Sequence, residues 1–191
     1  LTPHAVNAIE AGARLVAHIA TMGDAWRDAP ERYDGFDVPY TTACVGVMQG
    51  GVADNIVPED CTFNYEFRNL PGTQAEAMQM RVREEAARLE QPMKAVDAAT
   101  GIRFETICAV PSFLAHEDEP AVLFAQRLAS EPRTTLVAFG TEAGLFHRAG
   151  ISTVVCGPGF IDQAHQPDEF VSLDQLARCE AFLQRLAVQP P

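Results

Sequence analysis

Apolar side chains recur at helical spacing over residues 3–22, through Val6, Ile9, Ala13, Val16, Ala17 and Ala20. That stripe predicts a helix with one face in a core. Thr2 stands before Pro3 as a candidate N-cap, with proline in the first turn. Residues 24–37 are polar and include Pro30 and Gly35, a loop composition. The period then changes to two. Residues 40–48, rich in Thr, Val and Cys, predict a strand that Gly50-Gly51 breaks. Residues 61–68 alternate cleanly: Cys61, Phe63, Tyr65 and Phe67 share one face, and Thr62, Asn64, Glu66 and Arg68 the other. Asn69-Leu70-Pro71-Gly72 reads as a turn. Helical spacing returns over 73–90, with Thr73 as cap, Glu76 completing a capping box, and Ala77, Met80, Val82 and Leu89 as apolar positions. Residues 102–110 predict one more strand.

The order helix, strand, strand, helix, strand becomes a ferredoxin-like βαββαβ arrangement if one strand is added before Leu1. Beyond Pro111 helix and strand alternate: helix 120–129, strand 134–139, helix 142–149, strand 152–156, and an amphipathic helix 172–188 capped by Ser172. The expected class is α/β (α+β), with a boundary near Pro111 dividing 1–110 from 111–191. A first residue that is Leu, opening directly into a helix, adds the expectation that the chain is a piece of something longer.

Composition sharpens the picture in two ways. A formal net charge of -12 on 191 residues disfavours nucleic acid and anionic membranes as partners. No apolar run approaches the ~20 residues that span a bilayer, and no basic-then-apolar leader opens the chain, so the expected location is cytoplasmic. The five cysteines are widely spaced, without a C-x-x-C pair. Buried, reduced thiols are the expectation for them.

Three stretches could carry chemistry. Gly157-Pro158-Gly159 follows an apolar strand and leads to Ala164-His165-Gln166-Pro167-Asp168-Glu169. Loops at strand ends are where α/β sheets place sites. His165 could bind zinc there with a neighbouring carboxylate orienting it, or could simply stabilise a turn, and one imidazole alone does not make a metal site. Gly140-Thr141 leads a strand into a helix, and could present N–H groups to a carboxylate or could only cap the helix. Asn55 lies in a Gly-rich hairpin. Arg68 ends a polar strand face, where its guanidinium suits a carboxylate or sits solvated.

In this order, Val6-Asn7-Ala8-Ile9, Gly50-Gly51 with Asn55-Ile56-Val57-Pro58, Phe67-Arg68, Gly140-Thr141-Glu142 and Gly157-Pro158-Gly159 with Ala164-His165-Gln166-Pro167 resemble the M20 family of zinc peptidases and deacylases. Within it the likeness runs closest to members that deacetylate N-acetylornithine, on Val38-Pro39-Tyr40, Arg68 with Leu70-Pro71-Gly72, Thr141-Glu142-Ala143 and Gln163-Ala164-His165. The resemblance implies a partial ferredoxin-like lid over 1–110, which also makes a homodimer, then the C-terminal strands and helices of a zinc-peptidase catalytic domain. It implies His165 as a metal ligand, and Arg68, Asn55, Gly140 and Thr141 as substrate contacts, Asn55 acting across the dimer. The cofactor implied is a pair of zinc ions, with cobalt as an alternative. The reaction implied is hydrolysis of a small N-acyl amino acid, N-acetylornithine to ornithine and acetate, a step of arginine biosynthesis.

The resemblance places the family's His-x-Asp and Glu-Glu pairs in an N-terminal half upstream of these 191 residues; Glu84-Glu85 and His116-Glu117-Asp118 lie too late in the chain to match them. No catalytic residue is therefore expected here, and the chain alone should be inactive. The rival readings are a desuccinylase of succinyl-diaminopimelate, an aminoacylase or a carboxypeptidase of the same family, or a non-catalytic dimerisation module.

Overall fold

A computed structural model describes residues 2–164 and 166–189. They divide into two compact units: 2–34 with Val38–Ala109, and Gly35–Asp37 with 110–189.

The first unit is built on a helix, α1 (Ala8–Asp28), and a second, α2 (Ala75–Val96), laid against an antiparallel pair, β1 (Thr42–Gly50) and β2 (Cys61–Arg68). Asn7, not Thr2, caps α1: its side-chain oxygen accepts the Glu10 N–H, while Thr2–His4 forms a separate 3-10 turn. The buried stripe also differs from the expected one. Leu15, Ile19 and Met22 enter the core and Trp26 packs against it, whereas Ala13, Ala17 and Ala20 face outward. Two stripes satisfied the helical period, and the one with the larger side chains buries more apolar surface. On α2 the core positions are Met78, Val82, Ala86 and Leu89, and Met80 is exposed. Gln74 stands at its N-cap without a side-chain bond, so neither the Thr73 cap nor the capping box forms.

The β2 strand has the expected bounds and the expected faces. Cys61, Phe63, Tyr65 and Phe67 lie half-buried under the helices, and the four polar residues between them are exposed. Phe67 meets Trp26 edge-on at 5.5 Å, and Tyr65 donates its hydroxyl to Gln79 Oε1 at 2.8 Å. The ladder runs from Thr42 opposite Arg68 to Gly50 opposite Cys61, with a register shift between Val45 and Val47 that leaves Gly46 unpaired. Gly12 lets α1 lie this close: a Cβ there would stand 2.8 Å from the Cys61 sulfur. After β2, the Thr73 N–H bonds the Leu70 carbonyl around Pro71 and Gly72, and Gly72 has a φ of 82°. That is a type II turn with each residue where its backbone requires it.

Residues 102–110 form no ladder. Ile102 and Phe104 pack inward and Arg103 and Glu105 outward, as a strand would, yet the sheet among the described residues stops at two members. The segment is held by side chains instead: its Ile102 N–H donates to Glu90, and Arg83 lies over the Phe104 ring.

The second unit carries α3 (Pro120–Ala129), α4 (Ala143–Arg148) and α5 (Leu173–Val188). Residues 134–139 and 152–156, expected as strands, pair with nothing among the described residues. Ser152 nonetheless organises the unit. Its hydroxyl accepts the Ala121 N–H at 3.0 Å and faces Glu119 Oε2 at 3.3 Å, so a residue 31 positions downstream of Ala121 caps α3. Gly144 passes so near Pro111 that an added Cβ would fall 2.3 Å from its carbonyl oxygen. Ser172 caps α5 through the Gln175 N–H, as expected. No helix among the described residues is long and apolar enough to cross a membrane.

Candidate functional site

Arg68 closes β2 on the polar, open face of the sheet. Its Nε and Nη2 donate to the two carboxylate oxygens of Glu66 at 3.0 and 3.1 Å, a two-pronged pair between residues two apart on one strand face. Both side chains are just over half exposed, 54% and 55%. The fork that would take a substrate carboxylate is thus already presented to solvent and already oriented by a carboxylate. Glu66 escaped notice as a partner, although the two-residue alternation placed it beside Arg68.

Asn55 is exposed in the loop joining the strands, at a turn in which the Ile56 N–H bonds the Ala53 carbonyl. Asn55 lies in the connection before β2, whereas Arg68 ends that strand, seven steps of ~3.3 Å, or about 23 Å, beyond Cys61.

In the second unit Thr141 takes the capping role: its Oγ1 accepts the Ala143 N–H at 2.9 Å. The helix it opens, α4, has six residues, and Gly140 is exposed. His147 of α4 rests edge-on against Phe113 at 5.2 Å, with Nδ1 4.0 Å from Glu119. The Glu119 carboxyl is held below its usual range, first by the His116 N–H, which donates to it at 3.1 Å, then by Ser152 and His147. In this cluster the carboxylate stands between serine and imidazole and accepts the serine hydroxyl itself.

His165 lies outside the described residues. Among the described residues no group of three His, Cys, Asp or Glu side chains could hold a metal ion. These residues by themselves do not make a zinc centre. Nor are the cysteines buried as expected: Cys44, Cys108 and Cys156 are exposed, and Cys61 and Cys179 intermediate, all as free thiols. Cys44 sits on the outward side of the pleat, where an apolar neighbourhood in sequence is no cover.

Comparison with known proteins places this geometry. Residues 2–94 match the peptidase dimerisation domain of the M20 type. Over those residues the chain is similar to the dimerisation domain of M20 peptidases. Acetylornithine deacetylase of Myxococcus xanthus is 38% identical over 160 residues, covering 80% of this chain and 39% of that protein. The enzyme of the same description from Edwardsiella ictaluri is 30% identical over 186 residues, 95% of this chain and 45% of its own. The chain spans about two-fifths of the length of these relatives. Aminopeptidase PepT from Bacillus cereus ATCC 10987 shares the fold, with a TM-score of 0.53 at 22% identity, over 93% of this chain and 44% of its own.

Proposed function

We propose that this chain is the lid, dimerisation and C-terminal portion of a metal-dependent amidohydrolase that deacetylates N-acetylornithine. The observation that carries it is the reach of the likeness. A dimerisation module alone would account for residues 2–94, yet the deacetylase match extends over 95% of the chain and so runs through both units. The match of residues 2–94 to a peptidase dimerisation domain supports a homodimer.

In this reading Arg68 binds the α-carboxylate of the N-acyl amino acid, exchanging Glu66 for it. Asn55 of a second copy, with Gly140 and Thr141, completes the substrate contacts. A bound metal pair would supply an activated water and a polarised carbonyl; His165 is the ligand this chain would add, and the remaining ligands would come from other polypeptide. The chain's own work is orientation: holding the carboxylate fixes the acyl group relative to the attacking water.

A chimera tests it. This chain replaces the corresponding segment of the Myxococcus xanthus deacetylase, and hydrolysis of N-acetylornithine is measured. Activity that Arg68→Ala lowers by at least tenfold, mainly through KM, supports the reading. A folded, metal-loaded chimera without activity overturns it. The isolated chain is expected to show none.

A further inference from the structure

One arrangement in the second unit serves neither the lid nor the substrate contacts. The turn at Gly157-Pro158-Gly159 is docked on the start of α5. Gly159 donates its N–H to Gln175 Oε1 at 3.3 Å, and a Cβ on Gly159 would lie 3.5 Å from Val171 Cγ2. Gln175 is itself fixed, because its N–H bonds the capping Ser172 hydroxyl at 3.2 Å. Two cysteines flank this anchor. Cys179 follows Gln175 by four residues, so it lies on the same face of α5 one turn along. Cys156 precedes Gly159 by three, within a reach of about 10 Å. Both cysteines thus flank one hydrogen-bonded anchor, and burial followed by the neighbouring Cys179 pushes the Cys156 thiol up.

We propose that Cys156 and Cys179 form an oxidisable dithiol that closes into a disulfide, clipping the Gly157–Gly159 turn to α5. Cys156 is exposed and Cys179 half-buried, so a small oxidant can reach them. The co-reactant is a small-molecule disulfide such as oxidised glutathione. One cysteine thiolate attacks a sulfur of that disulfide, whose S–S bond breaks and releases one glutathione thiolate with the bonding electrons. The second cysteine loses its proton, attacks the protein sulfur of the mixed disulfide and expels the second glutathione. Two protein thiols are oxidised and one small disulfide is reduced to two thiols. A raised Cys156 makes the closure faster as the solution becomes alkaline. The other placed pair is excluded by register. Cys44 lies opposite Glu66 and Cys61 opposite Gly50, six ladder positions apart. That is about 20 Å, against the ~7 Å that a disulfide tolerates between Cα atoms.

The test uses the whole chain with oxidised glutathione at neutral and mildly alkaline pH, followed by alkylation and tryptic mapping without reductant. Cleavage after Arg148, Arg178 and Arg185 separates the two cysteines onto peptides 149–178 and 179–185. The expected result is those peptides joined, five free thiols falling to three, and a faster reaction at the higher pH. Cys179→Ser should stop at a stable glutathione adduct on Cys156, with its melting curve showing that the variant is folded. Separate adducts on both cysteines of the unsubstituted chain, no reaction at either, or a joined peptide seen only in denaturant overturns the proposal. None of these outcomes depends on hydrolase activity.

Discussion

Arg68 and Gly144 show two opposite demands on a single position. The Arg68–Glu66 pair is more than half exposed, and such pairs contribute little to folding. Arg68→Ala should shift unfolding free energy by no more than about 0.5 kcal/mol in a denaturant titration, even though it lowers turnover of the chimera. A large loss of stability would make Arg68 structural and remove it from the substrate site. Gly144 has no such freedom. With a backbone carbonyl 2.3 Å from the place its Cβ would occupy, Gly144→Ala must displace either α4 or Pro111. We expect a cost of about 2 kcal/mol or more in the same titration. Glu90 adds a pH dependence. Lys94 and the Ile102 N–H hold its carboxyl below the ordinary value, so its contribution is complete above the unfolded pKa of about 4.3 and fades as pH falls through the lower, folded value. Glu90→Gln should therefore destabilise the chain at neutral pH and matter progressively less in acid, as thermal melts across that range would show.

Among elements, α3 depends on a cap that is remote in sequence. Ser152→Ala removes the acceptor for the Ala121 N–H and should cost about 1 kcal/mol, with proteolysis near Pro120 rising first. No local pattern around Pro120 announces that partner, because the hydroxyl arrives from 31 residues away. By contrast, β2, α5 and the turn at Gly72 were legible in the sequence: each is fixed by neighbours within one turn or one pleat. Ile102 and Phe104 do pack inward as a strand's alternate residues would, but period reports side chains and not ladder partners, so the pairing of 102–110, 134–139 and 152–156 could not be read from it. The α1 stripe failed for another reason. Alanines satisfy helical spacing without demanding burial, and Leu15, Ile19 and Met22 outcompeted them. At the candidate site, residue types were legible, and the alternation already set Glu66 beside Arg68, but the two-pronged bond between them needed the folded side chains.

For the whole molecule, the two units differ in how completely they cover themselves. The first encloses Leu15, Ile19, Met22, Val82, Ala86 and Leu89. The second leaves Phe146, Ile151, Phe160, Phe170, Leu173 and Leu183 more than half exposed. A chain ended at Ala109 should keep the melting transition of the first unit and, in light scattering, the mass of two copies. A stable monomer there would withdraw the homodimer.

The unpaired Gly46 has a consequence of its own. A two-membered sheet exposes hydrogen-bonding edges that can template polymer growth. The kink at Gly46 divides β1 into Thr42–Val45 and Val47–Gly50, so an incoming stranger finds two short, mutually rotated landing strips rather than one straight rail. Filling that kink with a regular ladder would lengthen the rail and turn a self-limiting contact into a seed for fibres.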